Sequence, residues 1–242
     1  MYRKMLVITL LGLATGLVSL PGAYGQENVS AEQVIESHLQ AVGGEKAMAA
    51  IQDRTLKGGM SVMGMFGTMV WHEKAPNKMH QMMDLGFAKI ETWFDGNQGY
   101  RMDPNRGDGP YSAQEVEEAK GNKVGGSPFV GYKGGGLKLR YVKRDRVGDN
   151  PVDVVEITDP KGKVTTYYFD TATHYVVQMV FPVPASQGTG NQELQFSDYR
   201  DVKGVKFPFK IVSTTTAASV EMTFDSIEVN TGLADTVFQH GS

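Results

Sequence analysis

Apolar and polar side chains alternate along most of this chain, and only two stretches replace that alternation with helical spacing. Val205, Phe207, Phe209 and Ile211 fall on one side of a pleat and Lys206, Pro208 and Lys210 on the other. This is the pattern of a half-buried strand, and Pro208, which has no N–H for a ladder, marks an edge or a bulge. Tyr175, Val177, Met179 and Phe181 repeat the period, and the run 164–169 is joined to them through Asp170-Thr171-Ala172-Thr173, which predicts a hairpin. Asp159-Pro160-Lys161-Gly162 predicts another turn, because proline presets its φ and glycine accepts the tight exit. In the last run Val220, Met222 and Phe224 share a face, but Ile227 and Val229 are out of phase with them, so a bulge is expected near Asp225-Ser226.

The first helical stretch opens at Ser30, whose hydroxyl stands three residues before Gln33 as in a capping box. Val34, Ile35, Leu39 and Val42 follow at helical spacing, Gly43-Gly44 supplies a stop, and a short amphipathic segment with Met48 and Ile51 comes next. The second stretch, residues 112–120, is capped by Ser112 with Glu115 three residues on, and is short enough that it must dock on something else. About ten strands separated by short turns, with no strand–helix rhythm, predict an antiparallel sheet. Such a sheet cannot stay flat: it closes, curls around a filling element or splits into two layers. The fold class is therefore mainly β (α+β), a strongly curved antiparallel sheet with the N-terminal helix and a short second helix as fillers.

The start of the chain changes the picture of where this domain works. Arg3 and Lys4 precede an uncharged run over residues 5–20, Pro21-Gly22 break it, and Ala23-Tyr24-Gly25 places small residues where a signal peptidase reads. Residues 1–25 are expected to be a secretory signal, cleaved after Gly25, because the apolar run is shorter than the roughly 18 residues that span a bilayer. Residues 26–242 then form a single domain. The chain holds no cysteine, which excludes disulfides, thiol nucleophiles and acylation of a residue following the cleavage site, where Gln26 stands. A formal net charge of −3 over 242 residues, with Asp145 interrupting Lys138, Arg140, Lys143, Arg144 and Arg146, argues against nucleic acid as a partner.

Candidate chemistry is concentrated in residues 60–83, which hold Met60, Met63, Met65, Met69, Met79, Met82 and Met83 with Trp71, His72 and His80. Thioether and imidazole are ligands for soft copper, but the spacing shows no dense methionine repeat, so no metal is expected. Flexible thioethers also suit apolar ligands of varying shape, and they equally suit an ordinary core. Met63, Met65, Met69 and Trp71 fall on alternate positions and are expected to line one face of an early strand pair. With Met82 and Trp93 they are the candidate wall of an apolar ligand cavity. The glycine-rich stretch 121–136 echoes a phosphate-binding loop, but Tyr132 separates Gly131 from Lys133, and a flap is the better expectation. No His-Glu-x-x-His or Gly-x-Ser-x-Gly occurs, and His38, His72, His80, His174 and His240 are dispersed, so neither catalytic residues nor a cofactor are expected.

Trp93-Phe94-Asp95-Gly96-Asn97, Tyr168-Phe169-Asp170-x-x-Thr173, the run from Asp198-Tyr199-Arg200-Asp201 to Phe207-Pro208, Ile227-Glu228-Val229-Asn230 and Ala41-Val42-Gly43-Gly44 together resemble the LolA/LolB-like outer-membrane lipoprotein-sorting proteins. The resemblance implies an unclosed β-barrel with helices plugging its mouth and an apolar interior that shelters acyl chains. It further implies a soluble periplasmic carrier, lipid or lipoprotein acyl chains as ligand, and an inner-membrane ABC transporter and an outer-membrane acceptor as partners. An envelope structural domain with a filled core, or a metal-binding or hydrolytic envelope protein, are the alternatives.

Overall fold

The computed structural model describes residues 29–121, 127–183 and 189–241. The secretory signal and its cleavage after Gly25 lie outside the described residues, as do Gly125 and Gly126 of the expected flap. In chain order the elements are α1 (Ala31–Ala41), α2 (Glu45–Ala49), β1 (Asp53–Val62), β2 (Met65–Lys74), β3 (Lys78–Asp84), β4 (Lys89–Phe94), β5 (Gly99–Met102), β6 (Gly109–Pro110) and α3 (Ala113–Lys120), followed by β7 (Lys138–Val147), β8 (Asn150–Thr158), β9 (Val164–Asp170), β10 (Val176–Pro182), β11 (Asn191–Val202), β12 (Val205–Thr214) and β13 (Ser219–Val229). The strands form one sheet ordered β6-β5-β4-β3-β2-β1-β13-β12-β11-β10-β9-β8-β7, thirteen where the sequence suggested about ten. Every neighbouring pair is antiparallel, and β6 and β7 do not pair, so the barrel is unclosed.

Local chemistry explains why the elements stop and turn where they do. Ser30 Oγ accepts from Gln33 N while the Gln33 side chain takes the Ser30 N–H, and Ser112 and Glu115 make the same box at the start of α3. Asp170 Oδ1 accepts from Ala172 N and Thr173 N and builds the β9–β10 turn. The bulge expected near Asp225 is present: Lys57 faces Ser226 but Gly58 faces Phe224, so Asp225 is the extra residue. Pro208 lies in a central strand, yet β12 pairs with β13 only from Lys210 onward, so the proline sits on a locally open side. The glycine-rich stretch does not behave as a flap over its described part. Phe129 and Tyr132 are buried, Tyr132 OH donates to Glu36 and Gly131 N donates to Glu45, because apolar residues inside the glycine run anchor it against α1 and α2.

Two ends of the sheet differ. At one end Lys206 N donates to the Val42 carbonyl and Gln52 N to Asn230 Oδ1, tying the α1–α2 segment to the starts of β1 and β12 and to the residue after β13. At the other end stand the hairpins β1–β2, β3–β4 and β12–β13, where among the described residues no helix is tied down in this way.

Candidate functional site

Residues facing one another across an antiparallel ladder share a side of the sheet, so the register sorts the side chains. The inner side carries Leu56 and Met60 on β1, Met69 and Trp71 on β2, Met83 on β3, Met222 and Phe224 on β13, and Phe209 and Ile211 on β12. These pack as one apolar cluster with Ile35 and Leu39 of α1 and Val42 just after it. Burial grades along the strands. Near α1 and α2 the wall is fully buried at Leu56, Phe169, Phe207, Phe224 and Val229, whereas Val62, Met83, Leu85, Ile211 and Val220 toward the opposite end are only half-buried. Trp71 stands edge-on to Phe224 at 5.7 Å, and its buried indole N–H has no acceptor among the described residues. An unpaired buried donor is worth roughly 1–3 kcal/mol against the fold, which makes it a feature needing a reason.

The open end is rimmed by apolar side chains in water. Met63 is 81% exposed, Phe66 79% and Phe87 70%, and Met65, Met102 and Val164 are the other large exposed apolar residues at this end. Met63 and Gly64 form the two-residue turn between Val62 and Met65, both with positive φ (51° and 81°). Such turns favour Asn-Gly or Asp-Gly, and a long side chain in this region pays a steric cost.

The six residues proposed as one wall are therefore divided. Met69 and Trp71 lie on the inner side, and Met65 shares their side at the rim. Met63 does not continue the strand face, because the chain reverses there. Met82 and Trp93 lie on the outer side: adjacent residues of a strand alternate, so Met83 takes the inner side and Met82 the outer. Trp93 belongs to an outer row, Thr55, His72, His80, Trp93 and Tyr100, that runs across five strands.

That outer row is covered by the chain's own C-terminal segment, which the sequence reading missed. Asp53 accepts from Thr231 N, Thr231 Oγ1, Gly232 N and Leu233 N, and Lys74 and Lys78 each reach Asp235 at 2.8 Å. The two lysines hold the Asp235 carboxyl down to about 2. Phe238 is buried, and His240 stacks on Tyr100 at 3.8 Å and meets Trp93 edge-on. Gly232 followed by Leu233, Val237 and Phe238 was the available signal. Three of the five histidines, His72, His80 and His240, converge here: His72 and His80 are 5.6 Å apart, Thr55 Oγ1 pairs with His72 Nδ1, and His80 Nε2 pairs with Glu91. Burial first, then His80 and Lys57, lower the His72 pKa. Among the described residues no group of three or more His, Asp or Glu is arranged to hold a metal ion.

A recess of about 620 Å³ lies apart from the methionine wall, between α1 and the ends of β7–β9. Val34, Ser37, Arg144, Asp153, Phe169 and His174 line it, mixing charge with apolar surface, and none of the six candidate residues takes part. On the far flank, Arg101 donates to both oxygens of Glu115 and Phe94 stacks with Tyr111, docking α3 against β4 and β5.

Solved structures share this arrangement. An outer-membrane lipoprotein-sorting protein domain from Vibrio parahaemolyticus matches over 87% of this chain and 96% of its own, with a TM-score of 0.52 and 13% identity. A LolA superfamily protein from Nitrosomonas europaea matches over 87% and 98%, at 0.54 and 10% identity. This chain has the LolA fold. A DUF1329 family protein from Desulfovibrio piger matches at 0.56 over 87% and 98%, with 10% identity, so the same unclosed sheet recurs under little sequence constraint. No protein-family model matches the sequence, and no curated protein matches it. Among the described residues of this LolA fold, no helix is long and apolar enough to cross a membrane.

Proposed function

We propose that this chain is an exported, periplasmic carrier of acyl-chain ligands, lipids or lipoprotein lipid moieties, and that it binds rather than catalyses. The observation that carries the reading is the graded inner wall: it is sealed by α1 and α2 at one end and loosens to half-exposed Met83, Leu85, Ile211 and Val220 beneath an apolar rim at the other. Ligand sites are apolar recesses with a few placed polar groups, and the unpaired Trp71 N–H on this wall offers a donor to an ester or amide carbonyl. The structures sharing the fold include one named for lipoprotein sorting, which supports this ligand class. A carrier cycle needs a donor and an acceptor, and an inner-membrane ABC transporter and an outer-membrane acceptor fill those places in the proposal. The signal over residues 1–25 is part of it; N-terminal sequencing of envelope protein is expected to start at Gln26.

The test uses adjacent residues on opposite sides of β3. Purified protein is extracted with organic solvent for lipid identification, and binding of a fluorescent fatty acid is measured for the parent, Met83→Gln and Met82→Gln. Copurified lipid and a loss of affinity in Met83→Gln but not in Met82→Gln are expected. Absence of lipid together with no probe binding by the parent defeats the carrier reading and leaves a filled structural core.

A further inference from the structure

Thirteen methionines occur in the chain, and among the described ones exposure runs from buried through half-buried to fully exposed. Met60, Met69 and Met222 are at most 9% exposed, whereas Met63 is 81% and Met65 39% exposed. Met63 breaks two local rules at once: it places a long apolar side chain in water, and it occupies a positive-φ position that Asn, Asp or Gly would fill at lower cost. Its neighbours at the rim, Phe66 and Phe87, are equally apolar and exposed, but only the methionines carry an atom that peroxides oxidise under mild conditions. Thioether oxidation follows access, and its product is a polar, chiral sulfoxide.

Resting on the carrier reading for its consequence, we infer that Met63 and Met65 form an oxidation site at the mouth of the barrel, where conversion to sulfoxide turns the rim from apolar to polar and slows acyl-chain exchange. In the step a peroxide O–O bond breaks, an S–O bond forms, the thioether sulfur loses two electrons to the peroxide, and water leaves when hydrogen peroxide is the oxidant. A methionine sulfoxide reductase reverses it. Met102 is as exposed as Met65, at 41%, but it ends β5, three strands away from β2, and it lies on the outer side of the sheet with Met82 rather than on the inner side with Met65. It oxidises without touching the hairpin and serves as an internal control.

The full-length mature protein is treated with hydrogen peroxide and mapped by peptide mass spectrometry. Retention on a hydrophobic-interaction column and transfer of a fluorescent palmitate to phosphatidylethanolamine–phosphatidylglycerol vesicles are then measured. Sulfoxide is expected at Met63, Met65 and Met102 before Met60, Met69 and Met222, with earlier elution and transfer slowed about tenfold. The double variant Met63→Leu with Met65→Leu conserves volume and apolarity, so it folds, keeps its transfer rate after peroxide and, with Met102 still oxidised, loses less retention than the parent. Met102→Leu responds as the parent does, and reductase restores the parent. Sulfoxide at Met63 and Met65 with unchanged retention, an equal response in the double variant, or no preference for these two over the buried methionines each overturns the inference. Failure of the unoxidised parent to take up palmitate counts against the carrier reading alone, because column retention still decides whether the rim is switched.

Discussion

Acid sensitivity of the sealed end follows from one buried imidazole. His38 on α1 is 5% exposed, stands edge-on to Phe129 at 5.3 Å and near Phe169 at 5.4 Å, and its Nδ1 lies 2.9 Å from the His174 carbonyl oxygen. A carbonyl only accepts, so Nδ1 carries the proton in the neutral ring. Burial is the main reason that the pKa falls from 6.5 to about 4, and the bond to His174 opposes that fall only in part. Between these values the unfolded chain binds the proton that the folded chain refuses. The stabilisation from a neutral His38 is therefore complete above about pH 6.5, is lost as pH falls, and has all gone by about pH 4. A depression of this size corresponds to about 3 kcal/mol in full and about 2 kcal/mol by pH 5. Urea unfolding of the parent and His38→Gln at pH 7.5 and pH 5.0 measures it, because glutamine keeps a donor but cannot titrate. The parent is expected to lose about 2 kcal/mol more than the variant over that interval. The depressed pKa of His72 acts in the same direction in both proteins and cancels in the comparison. An equal pH slope in parent and variant, or an NMR titration placing His38 near 6.5, refutes the reasoning.

Two packing predictions, one on the β1–β2 turn and one on the C-terminal segment accompany it. Met69→Ala should cost about 2–5 kcal/mol in a urea midpoint because the side chain is 2% exposed, whereas Met63→Asn should be neutral or stabilise by up to about 1 kcal/mol at its positive-φ turn. Gly58→Ala should prevent folding or cost more than about 3 kcal/mol, since an added Cβ would lie 2.0 Å from the Thr223 carbonyl oxygen, and soluble yield with thermal melting reads the outcome. Asp53→Asn removes acceptor capacity from four donors in Thr231, Gly232 and Leu233. Hydrogen exchange over residues 231–241 should speed up while the inner strands keep their protection.

Much of the architecture was legible because it was written locally. Both capping boxes and the Asp170 turn rest on contacts within a few residues, the Asp225 bulge showed as a change of phase along one strand, and period two with short turns and no strand–helix rhythm implied an antiparallel sheet. The wall was legible only in part. Alternation assigns Met69 and Trp71 to one side, but the sequence does not say where the chain reverses, and a reversal at Met63 removes that residue from the face. The assignment of Trp93 failed for a different reason. Trp93 is buried on its side of the sheet because a segment some 140 residues later lies over it, and a covered outer residue reads in sequence like a buried inner one. His72, His80 and His240 met for the same cause: register across β1–β5 is a tertiary fact.

The unpaired edges bear on how the proposed carrier could adjust its volume. β6 is two residues long and includes Pro110, which has no N–H, so it cannot template a further strand. β7 is ten residues long, but it is bulged between Tyr141 and Lys143 and carries Lys138, Arg140, Lys143, Arg144 and Arg146. Charge and a bulge on an edge oppose pairing with another chain, and they equally oppose closure against β6. The basic cluster that raised the question of nucleic acid thus has a role within the fold, with Arg144 paired to Asp153 and Arg140 to Glu156 on β8. Because no ladder joins β6 to β7, widening the gap between them breaks no strand–strand hydrogen bond. In a closed barrel the same expansion would cost several backbone bonds, each worth roughly 0.5–1.5 kcal/mol. In the proposed carrier, an unclosed barrel lets the inner wall part around a guest without breaking a strand ladder, and the side-chain contacts that give way are those where the wall is half-buried, beneath the rim.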